Sequence, residues 1–321
     1  MIRIAALAFA VATGAFAPAQ AQDWPAKTVR IVVPFGPGST PDIVARLLGE
    51  QLQVRHPGSA FVIENKPGAG GNTGTDVVAK AAPDGATIGV SIGGPLAINT
   101  LLFSKLPYDP QKDLTAVTQL VTMPSALTVH PDLGVKTVAD LIALLKKEPG
   151  KYNFGSIGNG SLSHLKMEAI AQKSGAQMVH IPYASSPAAM TALMRGDVHM
   201  AVLPAIAVTP QADVGKVKIL AVSLPNRSPY LSNIPTLKES GVDVEADTWM
   251  GLIAPGGTPS ALVSAIHRDV TEALSARAVR DKLATQYMEP VGNSPAEFRA
   301  VIDGEISRWS PVIKAGNVKI N

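Results

Sequence analysis

The sequence predicts an α/β protein in which hydrophobic strands alternate with helices and form two sheets. Short apolar runs without polar alternation are typical of strands that are buried on both faces. A strand–helix rhythm begins near the N-terminus and starts again in the middle of the chain, which favours parallel sheets covered by helices on both faces. Hydrophobic residues make up 46% of the 321 residues and charged residues 17%, which is typical of a globular chain.

The first sheet is predicted from strands at 28–35, 60–65 and 87–92. The stretch 42–53 between the first two strands places its apolar residues on one helical face, and 74–82 is a second helix that ends at Pro83-Asp84-Gly85. This order of elements predicts a β-α-β-α-β unit.

The second sheet is predicted in the middle of the chain, where the same rhythm recurs. Thr137 is a suitable N-cap for its first helix, and Gly175 is suited to end the second. The predicted elements are a strand at 125–131, a helix at 137–150, a strand at 152–156, a helix at 163–173, segments 178–183, 190–198 and 199–204, a strand at 218–224, and tail helices at 259–274 and 296–315.

The N-terminal residues have the pattern of a signal peptide. Arg3 is followed by the apolar stretch 4–16, and Ala19-Gln20-Ala21 forms a cleavage site before Gln22. The sequence has no cysteine, which excludes a disulfide framework and a lipid-bearing cysteine. We therefore expect an exported, soluble protein after removal of residues 1–21; a retained N-terminal anchor is the alternative.

Composition argues against several classes of function. The formal charge is only +3, and there is no basic stripe with interleaved aromatic residues, so nucleic-acid binding is not supported. The six histidines have no close metal-ligand spacing. We expect no metal and no cofactor.

Two glycine-rich loops each follow a strand and open a helix. Loop one is residues 35–40, FGPGST, and loop two is residues 155–164, GSIGNGSLSH. A helix start offers unpaired N–H groups and partial positive charge, which suit a carboxylate or phosphate. A pair of such loops on two sheets could hold one ligand between them, although each loop could also be only a turn with a helix cap.

Other motifs are incomplete. Loop one lacks the lysine of a Walker A loop, and in GAGGNTG, residues 68–74, the third glycine comes one residue late for a dinucleotide site. The stretch FGSIG misses a nucleophile elbow by one residue, and a triad of Ser156, Asp247 and His267 would give a secreted serine hydrolase. This hydrolase stays as an alternative function.

Several distinctive segments follow one another along the chain. They are the opening WPAKTVRIVVPFGPGSTPDIVARLL, then ENKPGAGGNTGTDVVAKAAPDGATI, LPYDPQKDL, GSIGNGSLSHL, VHIPY, RSPYLSNIPTLKESG and GLIAPGGTPS. In these segments and in their order, from about residue 23 to the C-terminus, the chain resembles the Bug/TctC family, the extracytoplasmic solute-binding receptors of tripartite tricarboxylate transporters.

This resemblance implies a two-lobed periplasmic binding-protein fold of type II topology with a central ligand cleft. Lobe 1 would comprise residues 22–125 and 225–321, and lobe 2 residues 126–224. The lobes would close about crossover strands near 125–129 and 220–224. The resemblance implies no enzymatic activity and no catalytic residue.

The implied ligand is a small di- or aromatic carboxylate, held by amides, hydroxyls and bridging waters. Asp42 is expected to cap the helix after loop one rather than to touch the ligand. The expected binding residues come from loop one, loop two and the lining stretches 91–99 and 203–208: Phe35, Gly38, Ser39, Thr40, Ser91, Gly93, Ser156, Gly158, Asn159, Gly160, Ser161, His164 and Pro204.

Two positions depart from the family pattern. Ser39 stands where the family usually has a second glycine, which restricts φ and adds a hydroxyl. Leu203-Pro204 replaces the Phe-Asp of many members, and the loss of an acidic partner for an amino group argues against an amino-acid ligand.

The family resemblance also implies the protein's setting. We expect a periplasmic monomer that delivers its carboxylate to TctA/TctB-like membrane subunits. A sensor that presents bound ligand to a membrane signalling partner is the alternative.

Overall fold

The computed structural model describes residues 24–320 and divides them between two mixed sheets flanked by helices. The predicted signal peptide and its cleavage site lie outside these residues. The strands are β1 Thr28–Val33, β2 Ala60–Asn65, β3 Thr87–Ile92, β4 Leu114–Met123, β5 Ser125–Val129, β6 Asn153–Ser156, β7 Val179–Pro182, β8 Met200–Pro204, β9 Lys218–Val222, β10 Thr248–Pro255 and β11 Glu289–Pro290.

The helices pack on the faces of these sheets. They are α1 Thr40–Arg55, α2 Asn72–Ala79, α3 Asn99–Leu102, α4 Val138–Lys147, α5 Leu162–Ser174, α6 Ser186–Arg195, α7 Ala205–Asp213, α8 Ser260–Ser275, α9 Arg277–Ala284 and α10 Pro295–Ala315. The predicted caps are confirmed: Thr137 forms a capping box with Asp140, and Gly175 ends α5 in the left-handed conformation.

The larger sheet has the order β11-β4-β10-β3-β1-β2, and the smaller one has the order β7-β6-β8-β5-β9. Strands β1, β2 and β3 pair in parallel, as the sequence predicts. Strand β6 also pairs in parallel with β7 and β8, in the smaller sheet. The expectation of purely parallel sheets is wrong for the remaining pairs, because β10 runs antiparallel to β3 and β4, and β5 runs antiparallel to β8 and β9. In the larger sheet, the antiparallel strand β10 is the one by which the chain returns from the smaller sheet.

The chain crosses between the sheets at two places that lie side by side. Only Pro124 separates β4 from β5, so one crossing is almost a continuous strand. The second crossing leaves β9 at Ser223, whose N–H donates to the carbonyl of Ser125 at 2.9 Å. The Ser223 hydroxyl donates to the carbonyl of Ala246 at 2.8 Å, just before β10. The two crossings therefore form one hydrogen-bonded junction.

Helix α10 joins the hydrophobic cores of the two sheets. Phe298 and Ile302 near its start pack with residues of the larger sheet, whereas Trp309 and Ile313 near its end pack in the core of the smaller sheet. All four side chains are buried. Every helix within residues 24–320 is too short or too polar to span a bilayer.

The close contact between α10 and β10 gives a test of this packing. A Cβ added at Gly251 would overlap the ring of the fully buried Phe298, so Gly251→Ala should lower the free energy of unfolding by about 1–3 kcal/mol. A Cβ at Gly304, inside α10, meets no atom within 4 Å, so Gly304→Ala should raise it by about 0.5–1 kcal/mol. Urea unfolding measures both; equal effects of the two substitutions would contradict the packing described here.

Candidate functional site

A cavity of about 300 Å³ lies between the two sheets. Both sheets and the loops that follow their strands contribute to its wall. No lining side chain among the described residues carries a charge, and most are apolar. The lining residues are Phe35, Gly70, Ile92, Gly94, Ile98, Asn99, Phe103, Ser125, Ile157, Gly158, Asn159, Gly160, Ser161, Leu162, Ser163, Val202, Pro204, Thr248 and Ile320.

Loop one is held in shape by the buried carboxylate of Asp42. This carboxylate accepts hydrogen bonds from the Gly38 N–H at 2.8 Å, from Asn65 Nδ2 at 2.9 Å and from Arg46 Nε at 2.9 Å. Burial acts to raise the pKa of Asp42, but these bonds outweigh it and hold that pKa below its usual value. Asp42 thus organises the loop, and the Gly38 amide is already satisfied within it.

The hydroxyl of Ser39 is the polar group that loop one leaves unsatisfied. Ser39 is the N-cap of α1 by its backbone angles, but its side chain makes no capping bond. Its Oγ is buried and has no hydrogen-bond partner among the described residues. A buried hydroxyl without a partner costs free energy, so this group is suited to meet a ligand or a water.

Loop two presents the N-terminus of α5 to the cavity. The Ser161 hydroxyl caps the helix by accepting from His164 N at 3.3 Å, and it donates to the Gly158 carbonyl at 2.7 Å. The Gly160 amide donates to His164 Nδ1 at 3.0 Å. The first-turn amides of Leu162 and Ser163 have no carbonyl to bind within the helix, so they remain available for an anion.

Ser156 and His164, near the two ends of loop two, both contact His180. The rings of His164 and His180 are 3.7 Å apart, and His180 Nε2 lies 2.6 Å from Ser156 Oγ. Burial, reinforced by the neighbouring His164, lowers the pKa of His180 to about 4. The neutral ring of His180 can accept the Ser156 proton, which fixes the start of loop two.

The remaining wall of the cavity comes from the turns after β2 and β3. Gly71 has φ +95°, and a Cβ there would lie 2.7 Å from Pro95 and 2.9 Å from Phe35, so only glycine lets these turns meet. Asn99 lines the cavity while its Nδ2 donates to the buried Asn72 Oδ1 at 2.6 Å. This bond fixes the orientation of the Asn99 amide.

Part of the cavity wall is formed where loop two contacts the chain's last described residues. Asn159 Nδ2 donates to the Lys319 carbonyl at 3.0 Å, and the Ile320 N–H donates to the Leu102 carbonyl at 3.2 Å. A Cβ added at Gly160 would lie 2.7 Å from the Ile320 side chain. Loop two therefore contacts the last described residues, which in turn pair with the end of α3, the helix that follows β3.

The bottom of the cavity lies at the junction of the two crossings. Ser125 begins β5, Thr248 begins β10, and their hydroxyl oxygens are 3.0 Å apart. The ammonium of Lys166, on α5, donates to both oxygens at 3.0 Å from beneath the cavity. We call Ser125, Lys166 and Thr248 the hinge floor.

The structure divides the thirteen residues that the sequence offers for ligand binding. Those that line the cavity are Phe35, Gly158, Asn159, Gly160, Ser161 and Pro204. Those that lie outside its lining are Gly38, Ser39, Thr40, Ser91, Gly93, Ser156 and His164. Of the second group, Ser91 is buried and lies 3.1 Å from the Thr75 hydroxyl. That these residues bind a ligand stays a prediction.

Sequence reasoning missed Ser125 and Thr248 as polar lining residues, because they stand at strand starts without a glycine-rich motif next to them. Asn99 lies in the expected lining stretch 91–99, and Ser163 lies in loop two, although neither is among the thirteen named residues. Gly70 lies in the stretch GAGGNTG, which fails the dinucleotide motif and carries no other binding motif. Ile320 comes to the cavity through its pairing with Phe103 and its hydrogen bond to Leu102, which no local pattern indicates.

The residues proposed for a hydrolase triad have other partners. Ser156 Oγ is buried against His180, His267 Nε2 contacts the Asn293 carbonyl at 2.9 Å, and Asp247 Oδ2 accepts from Thr122 at 3.4 Å. Among residues 24–320, no three His, Cys, Asp or Glu side chains are grouped so that they could hold a metal ion.

Comparisons with known proteins place this chain near bacterial receptors. A family model described as "Tripartite tricarboxylate transporter family receptor" matches residues 44–318. Protein BugT of Bordetella pertussis is 34% identical over 314 residues, which are 97% of this chain and 96% of that protein.

Two solved structures are similar over nearly the whole chain. Rpa4515 of R. palustris, solved with adipate, has a TM-score of 0.81 and 34% identity, and the match covers 92% of this chain and 99% of that one. MatC of Rhodopseudomonas palustris, solved with bound malate, has a TM-score of 0.76 and 31% identity over 90% of this chain and 100% of that one. The expectation of a two-lobed periplasmic binding-protein fold is confirmed by these likenesses.

The His180 environment makes stability depend on pH. The pKa of His180 in the folded state, about 4, lies below the usual 6.5. Between pH 4 and pH 6.5 the unfolded chain therefore binds more protons at His180 than the folded protein does. The free energy of unfolding should therefore fall as the pH drops from about 6.5 to about 4. His180→Gln, which can still bond to Ser156 but does not titrate, should lose part of this fall. Urea unfolding at pH 7 and pH 5 measures the difference, and an unchanged pH dependence in the variant would refute this account.

Proposed function

This chain belongs to the tripartite tricarboxylate transporter receptor family, and on that premise we propose that it captures a small carboxylate between its sheets for delivery to a membrane transporter. The single observation that carries the proposal is the cavity itself. It lies between the two sheets, and the N-terminus of α5 opens onto it through Ser161 and Ser163. Helix N-termini favour negatively charged groups.

Hydrogen bonds supply enough free energy for this role without an arginine clamp. A hydrogen bond to a charged group contributes about 1.5–3 kcal/mol, and a helix N-terminus adds about 0.3–1 kcal/mol. A few such contacts, less the cost of ordering the ligand, reach the roughly −8 kcal/mol of a micromolar complex. Ser39 Oγ, the first-turn amides of α5 and the hydroxyls of the hinge floor are the available donors.

The apolar walls favour a ligand with a carbon skeleton. Phe35, Ile92, Ile98, Phe103 and Ile320 surround the polar groups with hydrocarbon surface. Pro204 lines the cavity and offers no acidic partner for an amino group, which supports an aliphatic or aromatic carboxylate over an amino acid. The adipate and malate in the two similar structures are small dicarboxylates, which supports the same class.

Closure at a hinge would couple ligand binding to the arrangement of the two sheets. The two crossings are adjacent and hydrogen-bonded, so they can bend together while each sheet stays rigid. A ligand that touches residues of both sheets favours the closed arrangement by its extra contacts there. We place lobe 1 at residues 22–125 and 225–321 and lobe 2 at residues 126–224, with the hinge at the crossings.

Family membership supports a role in delivery to a transporter. We propose that the protein is exported to the periplasm after cleavage before Gln22 and that it acts there as a non-enzymatic monomer. In this proposal it needs no cofactor, and TctA/TctB-like membrane subunits receive the carboxylate. Genes for such subunits beside this one, and loss of carboxylate uptake when it is deleted, would support this step; uptake that is unchanged would contradict it.

Ligand binding can be tested by thermal shift. Aliphatic dicarboxylates, tricarboxylates, aromatic carboxylates and acidic amino acids are added to the folded, ligand-free protein in rising concentration. One of the carboxylate classes should raise Tm progressively, because it binds the folded state alone. No shift with any carboxylate would overturn the proposal.

Substitution of Ser39 tests the contact at loop one. Ser39→Ala should weaken carboxylate binding about tenfold, because it removes a hydrogen bond to a charged group. The matched control is Ser186→Ala, which removes another buried hydroxyl without a partner among the described residues, at the start of α6 and in neither loop one nor loop two. Calorimetric titration of both variants gives the affinities. Equal affinity of the two variants for the carboxylate would show that Ser39 does not contact it.

A further inference from the structure

Lys166 is a buried charged residue to which the proposed function assigns no role. Its side chain is fully buried, and its ammonium donates to Ser125 Oγ and Thr248 Oγ1, each at 3.0 Å. Both of these hydroxyls line the cavity. The ammonium is therefore separated from the cavity by only one layer of hydroxyl groups.

The charge of Lys166 has no paired carboxylate within the described part of the chain. No Asp or Glu oxygen there lies within 4 Å of its Nζ, and Asp247 and Glu305 act on it only from further away. The oxygens of Glu305 are already bonded to Arg308 and to Trp309 Nε1. Burying an ammonium without a close counter-ion is costly, so the site is suited to an anion that arrives from outside the fold.

The hydroxyls of the hinge floor can carry the electrostatic effect of the Lys166 ammonium to a ligand, because the ammonium polarises them. Ser125 Oγ and Thr248 Oγ1 both accept from Lys166, so their own protons must point to other acceptors. They are 3.0 Å apart, and only one of the two protons can lie between them. At least one hydroxyl proton is thus free to donate into the cavity, and the ammonium behind it strengthens that bond.

Helix α5 concentrates positive charge along one side of the cavity. Ser163 lines the cavity in its first turn, and Lys166 follows one turn later on the same face. The amides of the helix start and the ammonium of Lys166 therefore act on the same space. Thr248 belongs to the larger sheet, whereas Ser125 and Lys166 belong to the smaller sheet side, so an anion bound here joins the two.

We propose that the hinge floor is an anion subsite in which Lys166 is the counter-charge of a ligand carboxylate and Ser125 and Thr248 are its direct donors. The subsite takes a carboxylate at one end of the ligand, while loops one and two bind the rest. Lys166 then sets specificity without touching the ligand, and the inference rests on the proposed carboxylate binding.

The test uses the mature full chain and calorimetric titration with straight-chain dicarboxylates of four to eight carbons and with the matching monocarboxylates. Lys166→Met removes the charge and keeps the side-chain length. It should weaken binding of the preferred dicarboxylate about 10- to 100-fold and reduce its advantage over the monocarboxylate. The matched control, Lys173→Met, lies on the same helix with its side chain 56% exposed and should bind like the wild type.

A stability readout separates this role from a merely structural one. Removing a buried charge that lacks a close partner should keep or raise Tm of the ligand-free protein, even though affinity falls. If Lys166→Met does not fold, Ser125→Ala serves instead, because it removes a direct donor and leaves the ammonium in place. Its affinity for the dicarboxylate should fall about tenfold or more.

The pH dependence gives an independent readout. Burial lowers the pKa of Lys166 to about 8, with Asp247 and Glu305 acting to raise it and Arg308 to lower it. Dicarboxylate affinity of the wild type should therefore decline as the pH rises through about 8 and the ammonium loses its proton. Asp247, Glu305 and Arg308 remain in Lys166→Met, so a flat profile in that variant assigns the decline to Lys166.

The outcomes distinguish the two proposals. A wild type that binds no carboxylate overturns the proposed function and the subsite together. A wild type that binds dicarboxylates, combined with a Lys166→Met variant of equal affinity, preference and pH profile, leaves the proposed function standing and overturns the subsite.

Discussion

The constraint on which the structure depends is that both chain crossings run through one hydrogen-bonded junction. The β4–β5 crossing and the β9–β10 crossing meet where Ser223 bonds to Ser125 and Ala246. This junction fixes where the two sheets face each other. It also forms the bottom of the cavity from Ser125 and Thr248, the first residues of β5 and β10. Their side-chain hydroxyls take no part in the backbone hydrogen bonds of the sheets. Lys166 is held in the same place by those hydroxyls. The residues that join the two sheets are therefore also the residues proposed to bind the ligand.

The loops above the junction are organised so that their internal hydrogen bonds leave a few donors unused. Asp42 satisfies the amide of Gly38, and His164 satisfies that of Gly160. What remains is the Ser39 hydroxyl, in loop one outside the cavity lining, and the first turn of α5, which opens onto the apolar cavity. Such a site binds through a small number of charge-assisted hydrogen bonds, and its selectivity depends on where the donors lie along the carbon skeleton.

Much of the fold could be predicted because its signals are local. The bounds of β2 and β3, the Thr137 cap and the Gly175 helix end follow from short sequence patterns. Loops one and two are recognisable for the same reason. Strands β4 and β10 were not predicted, because they pair across more than a hundred residues and their direction depends on the crossings. Ser125, Thr248 and Lys166 carry no local motif, since only the junction brings them together.

A crystal structure of the protein with a bound dicarboxylate would show directly whether the hinge floor binds the ligand. The ligand should lie in the cavity between the sheets, with one carboxylate about 2.7–3.2 Å from the Ser125 or Thr248 hydroxyl. The carbon skeleton should pack on Phe35, with loop two closing over it. A dicarboxylate bound outside this cavity, or one inside it whose carboxylates do not approach the hinge floor, would contradict the account.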